Sequence, residues 1–405
     1  MVSRFKYKAI KANGQPVRGV LTAANQNDLY SQLQMANMEL VSCSEIKEKK
    51  SLNIDLLKKV KVRELIQFFV NLKQMQGAGI GILEAIADLR DTADNNVFKD
   101  ILSEMYKDIT EGSSLSEAMA RHPKVFKTIH VSLMSAGEEN GDIEASCDQL
   151  VIYLKWLDAM QTRVRKATRY PIILLVVVVA TVAVMMGKVV PQIVGFLENM
   201  DQDLPFLTTS LIATSEFFVN YFWYILLTPV ALYVGVRIFM KYSEKFSYQI
   251  DSLMLRMPVM GVVIRKISIA RFAQTFSALF AGGIEIIKAL RAASQTANNM
   301  VLKDALNDVE IFVKQGDPIS VALNKSGQFP SMVVRMVKVG EESGNLSEVL
   351  DQVAEFYTND VDEEVQKVIT MIEPSLTAVL GVMILWIAAG VFGPIYSTIG
   401  NVTGF

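Results

Sequence analysis

Apolar residues recur at helical spacing through most of this chain. In "RELIQFFVNLKQM", residues 63–75, Leu65, Ile66, Phe69, Leu72 and Met75 fall on one stripe of a 3.6-residue repeat, which predicts an amphipathic helix. Gly77 and Gly79 break it, and "ILEAIADLR" from Ile82 starts another. The same reading predicts helices near 96–110, 114–121, 126–139 and 143–169, joined by short Gly- or Pro-containing turns as in a compact bundle. The beginning of the chain follows a different period. "FKYKAIKANGQPVRGVLTA" alternates, with Asn13-Gly14 as a type I′ hairpin turn, and a helix near 25–37 and a short strand near 39–44 follow. This predicts a small α+β module over 1–45, then a charged linker over 46–61.

Three stretches have no polar face. "YPIILLVVVVATVAVMMG" lies between Arg169 and Lys188, "FFVNYFWYILLTPVALYVGV" between Glu216 and Arg237, and "PSLTAVLGVMILWIAAGVFGPIY" after Glu373. About 20 apolar residues cross a ~30 Å hydrocarbon layer, so spans are expected at 170–190, 217–236 and 374–396. Flanking charge sets their direction. Arg163, Arg165, Lys166 and Arg169 precede the first span, and Arg237, Lys241, Lys245, Arg256, Arg265, Lys266 and Arg271 follow the second. The loop between them, 191–216, has acids and no Lys or Arg. By the positive-inside rule the N-terminus and the basic connector 237–267 are cytoplasmic, while the loop and the tail 397–405 are periplasmic. The start, "MVSRFKYKAI", has no apolar core and does not read as a secretory signal.

Moving the second half back by about 203 residues aligns it with the first. "GIGILEAI" at 79–86 meets "GIEIIKAL" at 283–290, and "EGSSLSEAM" at 111–119 meets "QGDPISVAL" at 315–323. Phe126 meets Phe329, Pro171 meets Pro374 at the start of a span, and Pro191 meets Pro394 at its end. The pattern is an internal duplication of a helical body plus a span, with copies at 62–169 and 268–372. Only the second span lies outside the repeat. It returns the chain to the compartment of the first copy, so both bodies are expected on the cytoplasmic side.

Composition agrees with this mixture. Apolar residues make up 51% and charged residues 20%, too apolar for an ordinary soluble protein and too charged to lie wholly in lipid. The net charge of −2 offers no argument for nucleic acid. Two cysteines, Cys43 and Cys147, and two histidines, His122 and His130, exclude a disulfide framework and a His-rich metal site. No cofactor is expected.

The candidate functional residues lie in a pentapeptide that occurs twice: "GEENG" with Gly137, Glu138, Glu139 and Gly141, and "GEESG" with Gly340, Glu341, Glu342 and Gly344. Gly141 and Gly344 are placed to end a helix in the left-handed conformation. Asp142 and Asn345 are placed to cap the next helix, with Glu348 in a capping-box relation to Asn345. Gly137 and Gly340 fall inside the preceding helix, at ~1 kcal/mol relative to alanine, which points to a close helix approach. The carboxylates sit in a last helical turn, where the dipole disfavours anions by ~0.3–1 kcal/mol each. A salt bridge within the bundle is the favoured offset; contact with a partner protein and a divalent cation are the alternatives.

With "RYP" before the first span, "MIEP" before the third and "GP" at 393–394, these motifs make the whole chain resemble the inner-membrane platform proteins of bacterial type II secretion and type IV pilus machines, the F-subunit or PilC-type family. "AMARHPKVFKTIH" departs from the smaller residues usual there. The resemblance implies a non-enzymatic, homo-oligomeric platform, a dimer or larger. It would join a cytoplasmic hexameric assembly or retraction ATPase to pilins or pseudopilins and to other inner-membrane subunits. The charged linker is a solvated tether or a contact with anionic lipid or the motor. The expected fold is an all-α membrane protein: two repeated cytoplasmic bundles, three transmembrane helices and a small α+β N-terminal module. A transporter is disfavoured because no Asp, Glu, Lys, Arg or His sits in the middle of a span. An enzyme is disfavoured because no GxxxxGK[ST], HExxH or GxSxG occurs, and "GAGIG" at 77–81 reads as a helix junction.

Overall fold

The computed structural model describes residues 3–11, 16–23, 30, 33–34, 38–45, 59–192, 195, 205–258 and 260–403. Contacts divide the chain into an N-terminal unit, residues 1–59 grouped with 95–97, and a second unit that holds the remainder. In the N-terminal unit β1 (Ser3–Lys11) is the centre of an antiparallel sheet, between β2 (Pro16–Ala23) and β3 (Met38–Glu45). Alternation turns Tyr7 and Ala9 inward against Leu33 and leaves Lys8 and Ile10 exposed. The Asn13-Gly14 turn, most of the helix expected at 25–37 and most of the charged linker lie outside the described residues.

The second unit is helical. The first copy consists of α1 (Val62–Gly77), α2 (Ile82–Thr92), α3 (Asn96–Thr110), α4 (Leu115–Ala120), α5 (Thr128–Asn140) and α6 (Ile143–Val184). A π-helical segment, Met185–Val189, extends α6. Then come α7 (Phe206–Tyr242) and α8 (Glu244–Arg256). The second copy consists of α9 (Met260–Ala281), α10 (Ile286–Ser294), α11 (Met300–Lys314), α12 (Ile319–Lys325), α13 (Ser331–Ser343) and α14 (Leu346–Thr403).

The duplication extends to backbone angle and ring geometry. Gly79 and Gly283 have φ of 77° and 79°, Gly112 and Gly316 both 100°, and Gly141 and Gly344 both 73°. Phe126 lies 5.8 Å from Phe68 on α1, and its counterpart Phe329 lies 5.8 Å from Phe272 on α9. Each fully buried Phe contributes about 1.5–3 kcal/mol. One continuous apolar core runs through both copies.

Two expected connections are more ordered than their composition implied. Within the basic connector, α8 docks on the second copy: the Asp251 carboxylate accepts from the Met300 N–H (2.8 Å), and its carbonyl accepts from Asn299 Nδ2 (3.1 Å). The first helix of that copy accordingly begins at Met260, ahead of 268. In the expected outer loop, residues from Phe206 onward are helical, because "FLTTSLIATSE" has no breaker and Pro205 provides an extended N-cap.

Among the described residues, three helices are long and apolar enough to cross a membrane. None of them starts at the apolar run. The first continues for 50 residues, Ile143–Gln192, about 75 Å at 1.5 Å per residue, against ~30 Å of hydrocarbon. Pro171 lies inside α6 and Pro374 inside α14, and neither ends its helix. The last helix of each body and its span are therefore one rod. The two rods and α7 meet through Met186, Val190, Leu211, Met383 and Ile387. Ser215 Oγ donates to the Met186 carbonyl (2.7 Å) on the π-helical segment, and Thr208 Oγ1 donates to the Gly390 carbonyl (2.6 Å). So α7, the span outside the repeat, hydrogen-bonds to both duplicated spans.

Deep in the first copy, His130 Nδ1 accepts from the Lys127 backbone N–H (3.1 Å), with its ring 5.9 Å from Phe69 and 6.4 Å from Phe126. Burial, then the neighbouring Lys127 charge, pushes its pKa down to about 4. The unfolded chain takes up this proton near pH 6.5, so the stabilisation from the neutral ring is complete above 6.5 and is lost as pH falls towards 4. Thermal unfolding of the full chain in detergent should lose up to about 1.4 kcal/mol per pH unit across that window. His130→Val, which copies the buried Val333 of the second body, should flatten the slope. Equal slopes in both proteins would refute the assignment.

Candidate functional site

Each acidic turn links three helices of its copy. α5 ends at Gly141, whose N–H reaches the Glu138 carbonyl (3.3 Å) while the Asp142 N–H reaches the Gly137 carbonyl (2.8 Å). Gly344 and Asn345 make the same pair of bonds to Glu341 (3.4 Å) and Gly340 (3.0 Å). Both satisfy the last carbonyls of a helix through a left-handed glycine, as the motif spacing predicts. A Cβ on Gly137 would lie 2.4 Å from Ser146 Oγ on α6, and one on Gly340 would lie 3.1 Å from Val349 Cβ on α14. These glycines let the hairpin arms close.

The first carboxylate of each turn points at a third helix. Glu138 accepts from the backbone N–H groups of Leu115 (2.6 Å) and Ser116 (3.2 Å), the first residues of α4. Glu341 accepts in the same way from Ile319 and from Ser320 (2.9 Å) at the start of α12. The expected internal salt bridge is therefore replaced. Among the described residues neither carboxylate has a Lys or Arg partner; the positive charge that offsets it is the N-terminal end of a short helix. α4 also has its own capping box, in which Ser114 Oγ accepts from Glu117 N–H (3.1 Å) and Glu117 accepts from Ser114 N–H (3.0 Å). α12 follows Pro318 and has no side-chain cap of its own, so Glu341 supplies the function alone.

The second carboxylates face outward. Glu139 accepts from Ser135 Oγ (3.3 Å), and Glu342 lies 3.7 Å from Lys338 in an exposed pair of small energetic weight. Asp142 caps α6 by accepting from Ala145 N–H (2.9 Å). Asn345 differs from expectation: its side-chain amide donates to Glu348, because its own N–H is already used by Gly340. No group of His, Cys, Asp and Glu suited to hold a metal occurs among the described residues. Burial pushes the Cys147 thiol up to about 12 against the lowering effect of Lys73, so it is an inert core residue.

Where the rods leave the bodies, a second constellation joins the copies. Trp156 Nε1 donates to Thr358 Oγ1 (3.3 Å) and Arg163 pairs with Asp362 (2.9 Å); beside them, within copy 2, Lys266 on α9 bridges Asp360 (2.9 Å) and Glu364 (3.1 Å) of α14. Arg163 and Lys266 were read from sequence only as charges that set direction. The signal for their partners was visible in "NDVDEE" at 359–364, an acidic run just before a span where the positive-inside pattern calls for Lys or Arg. Of the landmark prolines, Pro171 and Pro374 lie within the rods and Pro191 is exposed just past the π-helical segment. Pro394 falls within the range of α14.

Comparison with known proteins follows this geometry. The profile described as "Type II secretion system (T2SS), protein F" matches residues 68–191 and 272–394, and the one described as "Type II secretion system protein F, N-terminal domain" matches 2–43. The two matched segments contain one acidic turn each, and α7 lies between them. The chain is similar to the type IV pilus assembly protein PilC of Thermus thermophilus, 32% identical over 98% of this chain and 99% of the relative. It is similar to PilC of Pseudomonas aeruginosa, 30% identical over 86% of this chain and 92% of that one. Similarity extends to the type II secretion system protein F of Vibrio cholerae, 26% identical over 97% of this chain and 98% of the relative.

If the first carboxylates act as caps, Glu138→Ala should cost about 1–3 kcal/mol, the desolvation of backbone donors left without a partner. Hydrogen exchange on the full chain should show faster exchange at Leu115 and Ser116, with 319–320 unchanged; Glu341→Ala should do the reverse. Unchanged exchange at the matching helix start would remove the capping role.

Proposed function

This chain belongs to the type II secretion system protein F family, and we propose on that premise that it is the inner-membrane platform of a type IV pilus or type II secretion machine. In this reading both helical bodies face the cytoplasm, where they meet a hexameric ATPase, and the spans receive pilin or pseudopilin helices from the bilayer. The Lys and Arg distribution supports a cytoplasmic N-terminus and a periplasmic C-terminus. The chain works as a mechanical adaptor and catalyses no reaction itself. It acts as a homo-oligomer alongside other inner-membrane subunits.

One observation carries the proposal: each body ends in a helix that becomes a span without a break. A force applied to a body reaches the membrane through helix backbone, and a rod of about 75 Å with ~30 Å in lipid leaves about 45 Å of lever outside it. Trp156, Arg163 and Lys266 fasten the rods where they emerge.

The test is to interrupt that continuity. Four Gly-Ser residues inserted after Arg169 should leave the protein inserted and folded yet abolish filament or pseudopilus assembly in a strain lacking the native chain. The same insertion between Asp94 and Asn95, a turn, should be tolerated. Normal assembly by the Arg169 insertion would defeat the adaptor mechanism. A reporter fused near residue 300 that is active only in the periplasm would defeat the orientation.

A further inference from the structure

The two copies meet through different faces. The rods α6 and α14 lie against each other; beside them copy 1 contributes α5 and α6, and copy 2 contributes α9 and α10. Leu133 on α5 lies against Gly282 so closely that a Cβ there would be 2.5 Å from Leu133 Cδ2, and Asn140 adjoins Gly283. α9 also lies against α6, where Tyr153 is buried beside Thr275. If the relation were two-fold, the counterpart contacts would also exist, Met336 against Ala78 and Phe356 against Asn71. They do not: Ala78 is exposed, Asn71 is only half-buried, and Phe356 is 40% exposed where Tyr153 is 6%. Outside the paired rods the join is head to tail.

A head-to-tail join leaves one face of each kind unpartnered on every chain. On copy 2 the open face is a stripe of α13 with exposed Met332 and Val339 on either side of half-buried Met336. Met332 is 42% and Val339 60% exposed, whereas their counterparts on α5 are covered, Ile129 being 3% exposed. On copy 1 the open face is the side of α1 with Gln67, Asn71, Gln74 and Ala78. Charge differs between the open and covered faces in a complementary sense. Arg335 and Lys338 stand on the open stripe where the covered one has Ser132 and Ser135. Glu84 and Asp88 stand beside the open α1 face where copy 2 has Lys288 and Ala292. Arg335, Glu84 and Asp88 are exposed and have no ion-pair partner among the described residues.

We propose that the α13 face of one chain docks on the α1–α2 face of a second copy of this chain, repeating between molecules the join made within each. Trp156 meets Thr358 and Arg163 meets Asp362, so the rods of the two copies run parallel. Repetition of this join keeps every rod in one bilayer and lets chains close into a ring. The proposal deepens the homo-oligomer named above by assigning its faces, and rests on that reading only for the existence of an oligomer.

The test co-expresses two differently tagged full-length chains in a Cys43→Ser background, one with Met336→Cys and the other with Ala78→Cys, and oxidises isolated membranes. A disulfide between the two tags is the expected result. Arg335→Glu should remove most of that product, and Glu84→Arg on the other chain should restore it. Dimers of the Met336→Cys chain with itself alone would show a two-fold contact and overturn the proposal. An oligomer in nanodiscs without the mixed disulfide would place the contact elsewhere and overturn it equally. A monomer in nanodiscs would remove the second copy as the occupant, while filament assembly by the same chains would leave the platform reading intact.

Discussion

A backbone that enters hydrocarbon must bring its own hydrogen bonds, since lipid offers no partner to an open N–H or C=O. In this chain that constraint reaches well beyond the bilayer. Neither α6 nor α14 stops where lipid begins; each continues from the acidic turn through its body and across the apolar span. The helices of each body are therefore assembled on a rod that the membrane already requires to be intact. α1 lies along α6 and α9 along α14, and the buried phenylalanines on α1 and α9 fix the remaining helices to that pair. Even the widened π-helical turn keeps its Met186 carbonyl satisfied, through Ser215 of the neighbouring span.

The acidic turns are the joints at which everything else is attached to the rods. Within five residues, one glycine allows close approach, one carboxylate holds the start of a short helix, and a second glycine reverses the chain. A lysine would reach a carboxylate with a flexible stem, whereas two adjacent N–H groups at a helix start are fixed in direction and need no ordering. That makes the carboxylate a positional clamp. The duplicated geometry indicates what has been retained: Glu138 and Glu341 make equivalent bonds although the helix starts they hold differ, one with a Ser-Glu capping box and the other with Pro318 alone.

Much of the fold was legible because it depends on periodicity and length. The stripe on α1, the three apolar runs, the matched prolines and the left-handed glycines each follow from local chemistry. The carboxylate partners were not legible, because sequence inspection seeks a cation and the actual partners are backbone groups present at every residue. α8 was hidden in a connector read only for its charges, although Asp251 within it is buried and ties it to Asn299 and Met300. The start of α7 was hidden because residues 206–216 are too polar to count as span, yet contain nothing that stops a helix. Hydroxyls such as Thr208 and Ser215 escaped a search for ionisable groups in the membrane, where a hydroxyl-to-carbonyl bond of about 0.6–2 kcal/mol holds spans together without charge.

Duplication alone would give two identical faces of each kind, so the differences between the copies record the surroundings of each face. Where α5 meets the second copy, the contact is built from Leu133 against glycine, with Ser132 and Ser135 along the same stripe. Glycine at 282 admits a leucine that the alanine at 78 would crowd, and serine can be covered without stranding a charge. The equivalent open stripe has Met336, which can adapt its shape, Lys338, which pairs with Glu342, and Arg335, which needs water or an anion. The α1–α2 surface differs in the opposite electrical sense, with Glu84 and Asp88 in place of Lys288 and Ala292. Selection for solubility alone would favour charge of either sign on both surfaces; opposite signs on the two faces that the internal join leaves open are what the proposed contact between them uses. An odd span that returns the second body to the side of the first is what allows such a relation to repeat from chain to chain within one membrane.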